Sequence, residues 1–184
     1  MSHPVHSASE DPPGPELAED LNGLPADEAA AALAPLFEGA LRFLARLAAA
    51  RPYGTWESVF ERAREIAHAM PEPDQVELID GHPRLGAPRE AVSAMSFREQ
   101  AYDRRTTEGD VAARLRELND AYEARFGFRY CVFVAGRPLA TLVPAFEAAL
   151  GADRDAELHR ALDAVVDIAR ARHESGRPRD EATA

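Results

Sequence analysis

Apolar residues recur at three- and four-residue intervals through most of this chain, the spacing of one buried helical face. The first such stretch is 26–38. Pro25 and Asp27 suit a helix start, and its alanines with Leu33, Leu36 and Phe37 form the apolar face. A second, 40–50, carries Leu41, Phe43, Leu44 and Leu47 before Arg51-Pro52-Tyr53-Gly54 breaks the pattern. Thr55 then fits an N-cap for a helix running to about Met70, with Trp56, Val59, Phe60, Ala63 and Ile66 on one side. Pro71 and Pro73 punctuate, a short helix reaches Ile79, and 80–89, with two prolines and two glycines, reads as a loop.

The second half repeats the theme. Ser96 and Glu99 have the S-x-x-E spacing of a capping box, opening a helix to about Arg104. Thr107 fits a cap for 108–125, where Val111, Leu115, Leu118, Tyr122 and Phe126 make the stripe and Gly127 stands where a helix-ending glycine belongs. Residues 130–134, Tyr-Cys-Val-Phe-Val, are the single convincing extended run, read as buried and without an obvious partner strand. Pro138 suits the first turn of a helix to Leu150. Asp153 suits the cap of a last helix to about His173, with Leu158, Leu162, Val165, Val166 and Ala169 inward. About eight helices with one short extended piece predict an all-α domain over 16–174. The Pro-, Ser- and charge-rich residues 1–15 and the polar tail 175–184 read as disordered, because they offer too little apolar surface to offset ordering entropy.

Charge and composition narrow the function classes. The formal net charge is -11, with 32 acids against 21 bases, and no basic stripe with interleaved aromatics is present. Nucleic acid is therefore not an expected partner, and an anionic substrate would need a local cation. No apolar run approaches the roughly 20 residues of a bilayer span, and residues 1–15 lack the charged start and apolar core of a secretion signal. Cys131 is the single cysteine, which excludes an intrachain disulfide and fits a reducing compartment, so a cytoplasmic location is expected. Arginine supplies every base, since the chain has no lysine.

Three places could carry chemistry. His82 lies in the Gly81-His82-Pro83-Arg84-Leu85-Gly86 loop, where function concentrates. Histidine is the natural proton carrier near neutral pH. His3 and His6 sit in the head, and His68, His159 and His173 on helices, where a lone histidine is ordinarily a surface or satisfied residue. Glu99 can simply close the capping box with Ser96. A carboxylate there could also orient a histidine, and Gln100 beside it offers both a donor and an acceptor. Arg172 reads by itself as a solvated charge near a helix end, yet a guanidinium is the fork that binds a carboxylate bidentately. No H-E-x-x-H, paired cysteines, Walker loop, G-x-G-x-x-G or G-x-S-x-G is present, and Cys131 lies in an apolar run as a packed small hydrophobe.

Taken in order, these segments resemble one family. Leu21-Asn22, Arg51-Pro52-Tyr53 (where the family usually has R-P-F), His82-Pro83, Ser96-x-x-Glu99-Gln100, Asn119-x-x-Tyr122-x-x-Arg125-Phe126-Gly127-Phe128 and Ile168-Ala169-x-x-Arg172 are similar to the 2-oxo-4-hydroxy-4-carboxy-5-ureidoimidazoline (OHCU) decarboxylases. The likeness covers about 21–173. It implies an all-α, cofactor-free enzyme, usually a homodimer, that forms (S)-allantoin in urate (purine) catabolism. By position it implies that His82 is catalytic with Glu99 orienting it. It implies further that Pro83, Ser96, Gln100 and Arg172 bind substrate, and that backbone near Val132 meets the ring. No metal or other cofactor is implied. The departures are Gly81 for the usual alanine, His173 for leucine, an aromatic of the second helix that is Phe43 or absent, and the Pro-rich head. They leave substrate identity more open than reaction class. Two other readings stand beside this one: a same-fold enzyme acting on a related ureido or imidazolone acid, and a non-catalytic helical binding module.

Overall fold

The computed structural model describes residues 18–87 and 109–176. Among them are seven α-helices and two short 3-10 segments, and no strand. The helices are α1 (Ala26–Leu33), α2 (Leu41–Ala49), α3 (Trp56–Ala69), α4 (Glu72–Asp80), α5 (Gly109–Phe126), α6 (Leu139–Ala149) and α7 (Arg154–Gly176). The expected all-α class is what the chain adopts. The helix anticipated from Ser96 lies outside the described residues.

The periodic stripes become the core. Leu158, Leu162, Val165, Val166 and Ala169 of α7 are all buried, against α3, α4 and the 34–36 turn. Burial of each of the Leu and Val side chains is worth about 1.5–3 kcal/mol. Leu115, Leu118, Tyr122 and Phe126 of α5 are buried likewise, whereas Val111, Trp56 and Ile66 are only half-buried at the edges of their stripes. Thr55 caps α3 reciprocally with Ser58, Asp153 Oδ1 accepts from the amides of Asp155 and Ala156, and Gly127 leaves α5 at φ 80. The last helix runs on to Gly176, past the expected end near His173, so Ser175 belongs to its final turn.

Two expectations needed correction. The pattern over 26–38 is not one helix. Pro35 lacks the amide that would continue α1, so the chain tightens into a 3-10 turn at Ala34–Leu36 and reverses through Glu38 (φ 51) and Gly39 (φ 74). Residues 130–134 form no helix and, as the lack of an obvious partner strand implied, join no ladder among the described residues; what differs from expectation is their burial, which is incomplete. Arginines take the carbonyls that a neighbouring strand would have used: Arg160 donates to Cys131 O (2.8 Å), and Arg137 to Phe133 O (2.6 Å) and Val134 O (2.9 Å). Tyr130, Cys131 and Val134 are buried, while Val132 and Phe133 are half-buried.

The Leu21-Asn22 and Arg51-Pro52-Tyr53 motifs form one joint. Asn22 pairs with both backbone groups of Tyr53 (2.8 Å each), and Arg51 donates to the carbonyls of Leu21, Leu24 and Ala48. Tyr53 Oη donates to Leu47 O at 2.6 Å, and burial pushes its hydroxyl pKa up to about 12. No helix among the described residues is long and apolar enough to cross a membrane.

Candidate active site

His82 follows the end of α4, whose buried Leu78 and Ile79 anchor that helix. Its amide donates to Ile79 O (3.0 Å), extending the helical turn by one bond. The loop beyond is tied down from several sides. Arg129 donates to the carbonyls of Asp80 (2.7 Å) and His82 (2.9 Å), and its own amide donates to Asp80 Oδ1 (2.9 Å). Arg84 forks onto Glu123 and reaches Asp120 (2.8 Å). Asn119 donates to Leu85 O (3.0 Å). Gly86 has φ 78, and a Cβ there would lie 2.8 Å from Leu115 Cδ1, so close helix–loop contact requires glycine. Asn119 of the α5 motif, with its neighbours Asp120 and Glu123, thus holds the histidine loop. At Gly81 an added Cβ would meet only ordinary contacts, the nearest 3.4 Å away, so the family's usual alanine would fit there.

The His82 side chain is 3% exposed, and neither ring nitrogen has a hydrogen-bond partner among the described residues. Desolvation pushes its pKa down to about 4, and the nearby Arg172 charge adds to that. Glu38 opposes it, as does the Leu78 carbonyl, which faces the ring without forming a well-aligned hydrogen bond. The imidazole is therefore neutral at pH 7.

Arg172 is 2% exposed, not solvated as its sequence position taken alone had implied. Its Nη1 donates to the carbonyls of Pro35 (3.1 Å) and Leu36 (3.2 Å), and its Nη2 to Glu38 Oε1 (2.7 Å). These carbonyls belong to the 3-10 turn at Ala34–Leu36, so the break in the first helix builds the seat of the arginine. His82 and Arg172 are brought together. Pro83 is half-buried next to the histidine, and Val132 is half-buried on the extended segment that Arg129 joins to the His82 loop. Ser96, Glu99 and Gln100 lie outside the described residues.

Glu38 escaped the sequence reading. Its signals were weak: a Glu-Gly pair ending an apolar run, and a buried arginine's need for a carboxylate. Nothing local connects positions 134 residues apart. His173, where the family has leucine, packs its ring on Trp56 with centroids 4.0 Å apart, taking over an apolar packing role. Among the described residues no three His, Cys, Asp or Glu side chains gather as a metal site would need.

The family model for OHCU decarboxylase matches residues 22–174. The chain belongs to that family. Among curated relatives it is 30% identical over 158 residues to the uric acid degradation bifunctional protein PucL of Bacillus subtilis (strain 168), covering 84% of this chain and 31% of that protein. It is 22% identical over 154 residues to the 2-oxo-4-hydroxy-4-carboxy-5-ureidoimidazoline decarboxylase of Haloferax volcanii, covering 84% of this chain and 92% of that one. The chain thus spans about a third of the bifunctional relatives' length. In fold it is similar to a crystal structure of OHCU decarboxylase obtained in the presence of (S)-allantoin. The TM-score is 0.63 at 23% identity, over 74% of this chain and 91% of that one. An (S)-allantoin synthase structure matches with TM-score 0.63 at 20% identity, over 87% of this chain and 54% of that one.

Proposed function

We propose that this chain decarboxylates 2-oxo-4-hydroxy-4-carboxy-5-ureidoimidazoline to (S)-allantoin without a cofactor, as one step of urate breakdown. The observation that carries the reading is a buried, neutral imidazole set beside a fixed guanidinium in a member of this family. The substrate carries its carboxylate on a hydroxyl-bearing ring carbon next to a C=N bond. When CO2 leaves, the electron pair of the broken C–C bond moves into the C=N group and the ring nitrogen takes up a proton. The hydroxyl then becomes a carbonyl as the ureido-bearing carbon is protonated on one face. That substrate contains its own electron sink, so the protein need supply only an anion site, a proton carrier and a chiral pocket.

Arg172 takes the anion role. Because His82 rests neutral, it enters the cycle as a base toward the hydroxyl and returns that proton to carbon, help of a kind typically worth about 10²–10⁴-fold. Glu99 orients the histidine, and Ser96, Gln100, Pro83 and backbone near Val132 hold the ureido and carbonyl groups. In keeping with the family, the protein acts in the cytoplasm as a homodimer, which sedimentation would check. The deciding experiment generates the substrate in place from urate and follows the circular dichroism of the allantoin formed, because spontaneous decay gives racemate. A rapid (S)-allantoin signal, lost in His82→Ala with helical dichroism intact, is expected. A slow, optically silent product matching the control without protein overturns the reading.

A further inference from the structure

Glu38 is a charged group of this site that neither the motifs nor the family likeness assigns, and among the described residues it pairs with Arg172. It occupies a left-handed conformation (φ 51) that side chains rarely adopt, immediately before Gly39 (φ 74). Such backbone persists where surrounding structure imposes it, and it clusters at functional sites. Here the turn aims the carboxylate at Arg172 Nη2, 2.7 Å away. Its Cβ also lies 3.7 Å from where a Cβ on Gly81 would sit, directly beside His82.

The other charged groups around His82 among the described residues are Arg172 from α7, Asp80 at the end of α4, and Arg129, which holds the His82 carbonyl. Glu38 and Arg172 are the two whose charges act on the ring, and they act in opposite directions.

We propose that Glu38 is a positioning residue that fixes the Arg172 guanidinium and moderates the positive charge an incoming carboxylate meets. The inference rests on the decarboxylase reading of the site. In that reaction the negative charge must leave the carboxylate as CO2 forms. An unmoderated guanidinium would stabilise the bound carboxylate more than the transition state, so binding would tighten while turnover slowed. A carboxylate already shared with the arginine reduces that ground-state grip. The backbone carbonyls of Pro35 and Leu36 share the hold on the arginine, so removing Glu38's charge alone leaves Arg172 anchored through Nη1.

The test is the KM-against-kcat split of full-length Glu38→Gln and Glu38→Asp, assayed by stereospecific allantoin formation, with far-UV dichroism confirming the fold. Glu38→Gln keeps an acceptor toward Nη2 but removes the charge. Its KM should fall at least threefold and its kcat at least threefold, leaving kcat/KM nearly unchanged. Glu38→Asp keeps the charge and should hold KM within twofold of wild type. An NMR titration gives a second readout without turnover: the His82 ring should titrate at lower pH in Glu38→Gln than in wild type. A KM that is unchanged or raised in Glu38→Gln, or a His82 titration that does not move, overturns the inference while the decarboxylase reading stands. A wild-type protein that forms no (S)-allantoin overturns both.

Discussion

His82 sets the pH behaviour expected of the folded protein. Its pKa falls from an ordinary 6.5 to about 4 on folding, so between those values the unfolded chain binds a proton that the native one does not. Stability from this residue is therefore complete above about pH 6.5 and is lost progressively as pH drops toward 4. The span corresponds to about 3 kcal/mol as an order of magnitude. Urea denaturation across that window should show the slope in wild type and a flatter line in His82→Asn; equal slopes would place the proton elsewhere. Arg172 makes a second case. Removing it takes from the partly buried Glu38 carboxylate the guanidinium 2.7 Å away, a loss of up to about 3–5 kcal/mol. Arg172→Ala should accordingly lose stability as well as substrate affinity, and a variant as stable as wild type would argue against the pair. Residue chemistry was partly legible in the sequence. His82 stood out because its loop was full of glycine and proline. Arg172 looked solvated because helix position alone says nothing of the turn that comes to cover it. Glu38 was invisible because its partner is remote in sequence.

At the scale of elements, Arg129 is the strap that joins the extended segment to the histidine loop through three hydrogen bonds. Arg129→Ala removes the two side-chain bonds, and bonds to charged groups contribute about 1.5–3 kcal/mol each. The His82 amide, bonded to Ile79 O, should then exchange faster with solvent while amides in the middle of α7 keep their protection. Uniform loss of protection would mean that the strap supports the whole fold and not the loop. Helix boundaries in the sequence were readable wherever side-chain chemistry sets them, as at Thr55, Asp153 and Gly127. The boundary that the apolar spacing missed has a local backbone cause. Apolar spacing runs straight across Pro35, yet the missing amide ends α1 there. The Tyr130–Val134 run showed no partner strand in the sequence and joins none among the described residues, where arginine side chains satisfy its carbonyls instead.

Across the whole molecule, α7 ties the parts together and carries two ion pairs at its two ends, each with one buried partner. Near its C-terminus Arg172 meets Glu38. Near its start, Glu157 (5% exposed) accepts from Tyr122 Oη (2.7 Å) and Arg160 Nε (2.9 Å). Arg160 also lies over the Tyr130 ring at 4.7 Å, and that ring stacks on Phe146 at 3.8 Å. The network therefore joins α5, α6, α7 and the extended segment. A pair of this kind is costly to break and much less costly to replace entirely, because each partner exists to neutralise the other. Arg160→Leu alone removes the cation from the buried Glu157 and should cost less than the about 3–5 kcal/mol of a fully buried pair, because Arg160 is a third exposed, lowering Tm by about 2–4 °C for each kcal/mol in a chain of this size. Glu157→Gln in the Arg160→Leu background should recover a substantial part of that loss, since no charge then remains uncompensated. A double-mutant cycle read by urea denaturation measures the coupling, expected at 1 kcal/mol or more for groups in direct contact. Simple additivity would mean that water reaches Glu157 once Arg160 is gone, and that apolar packing alone joins α7 to α5 there.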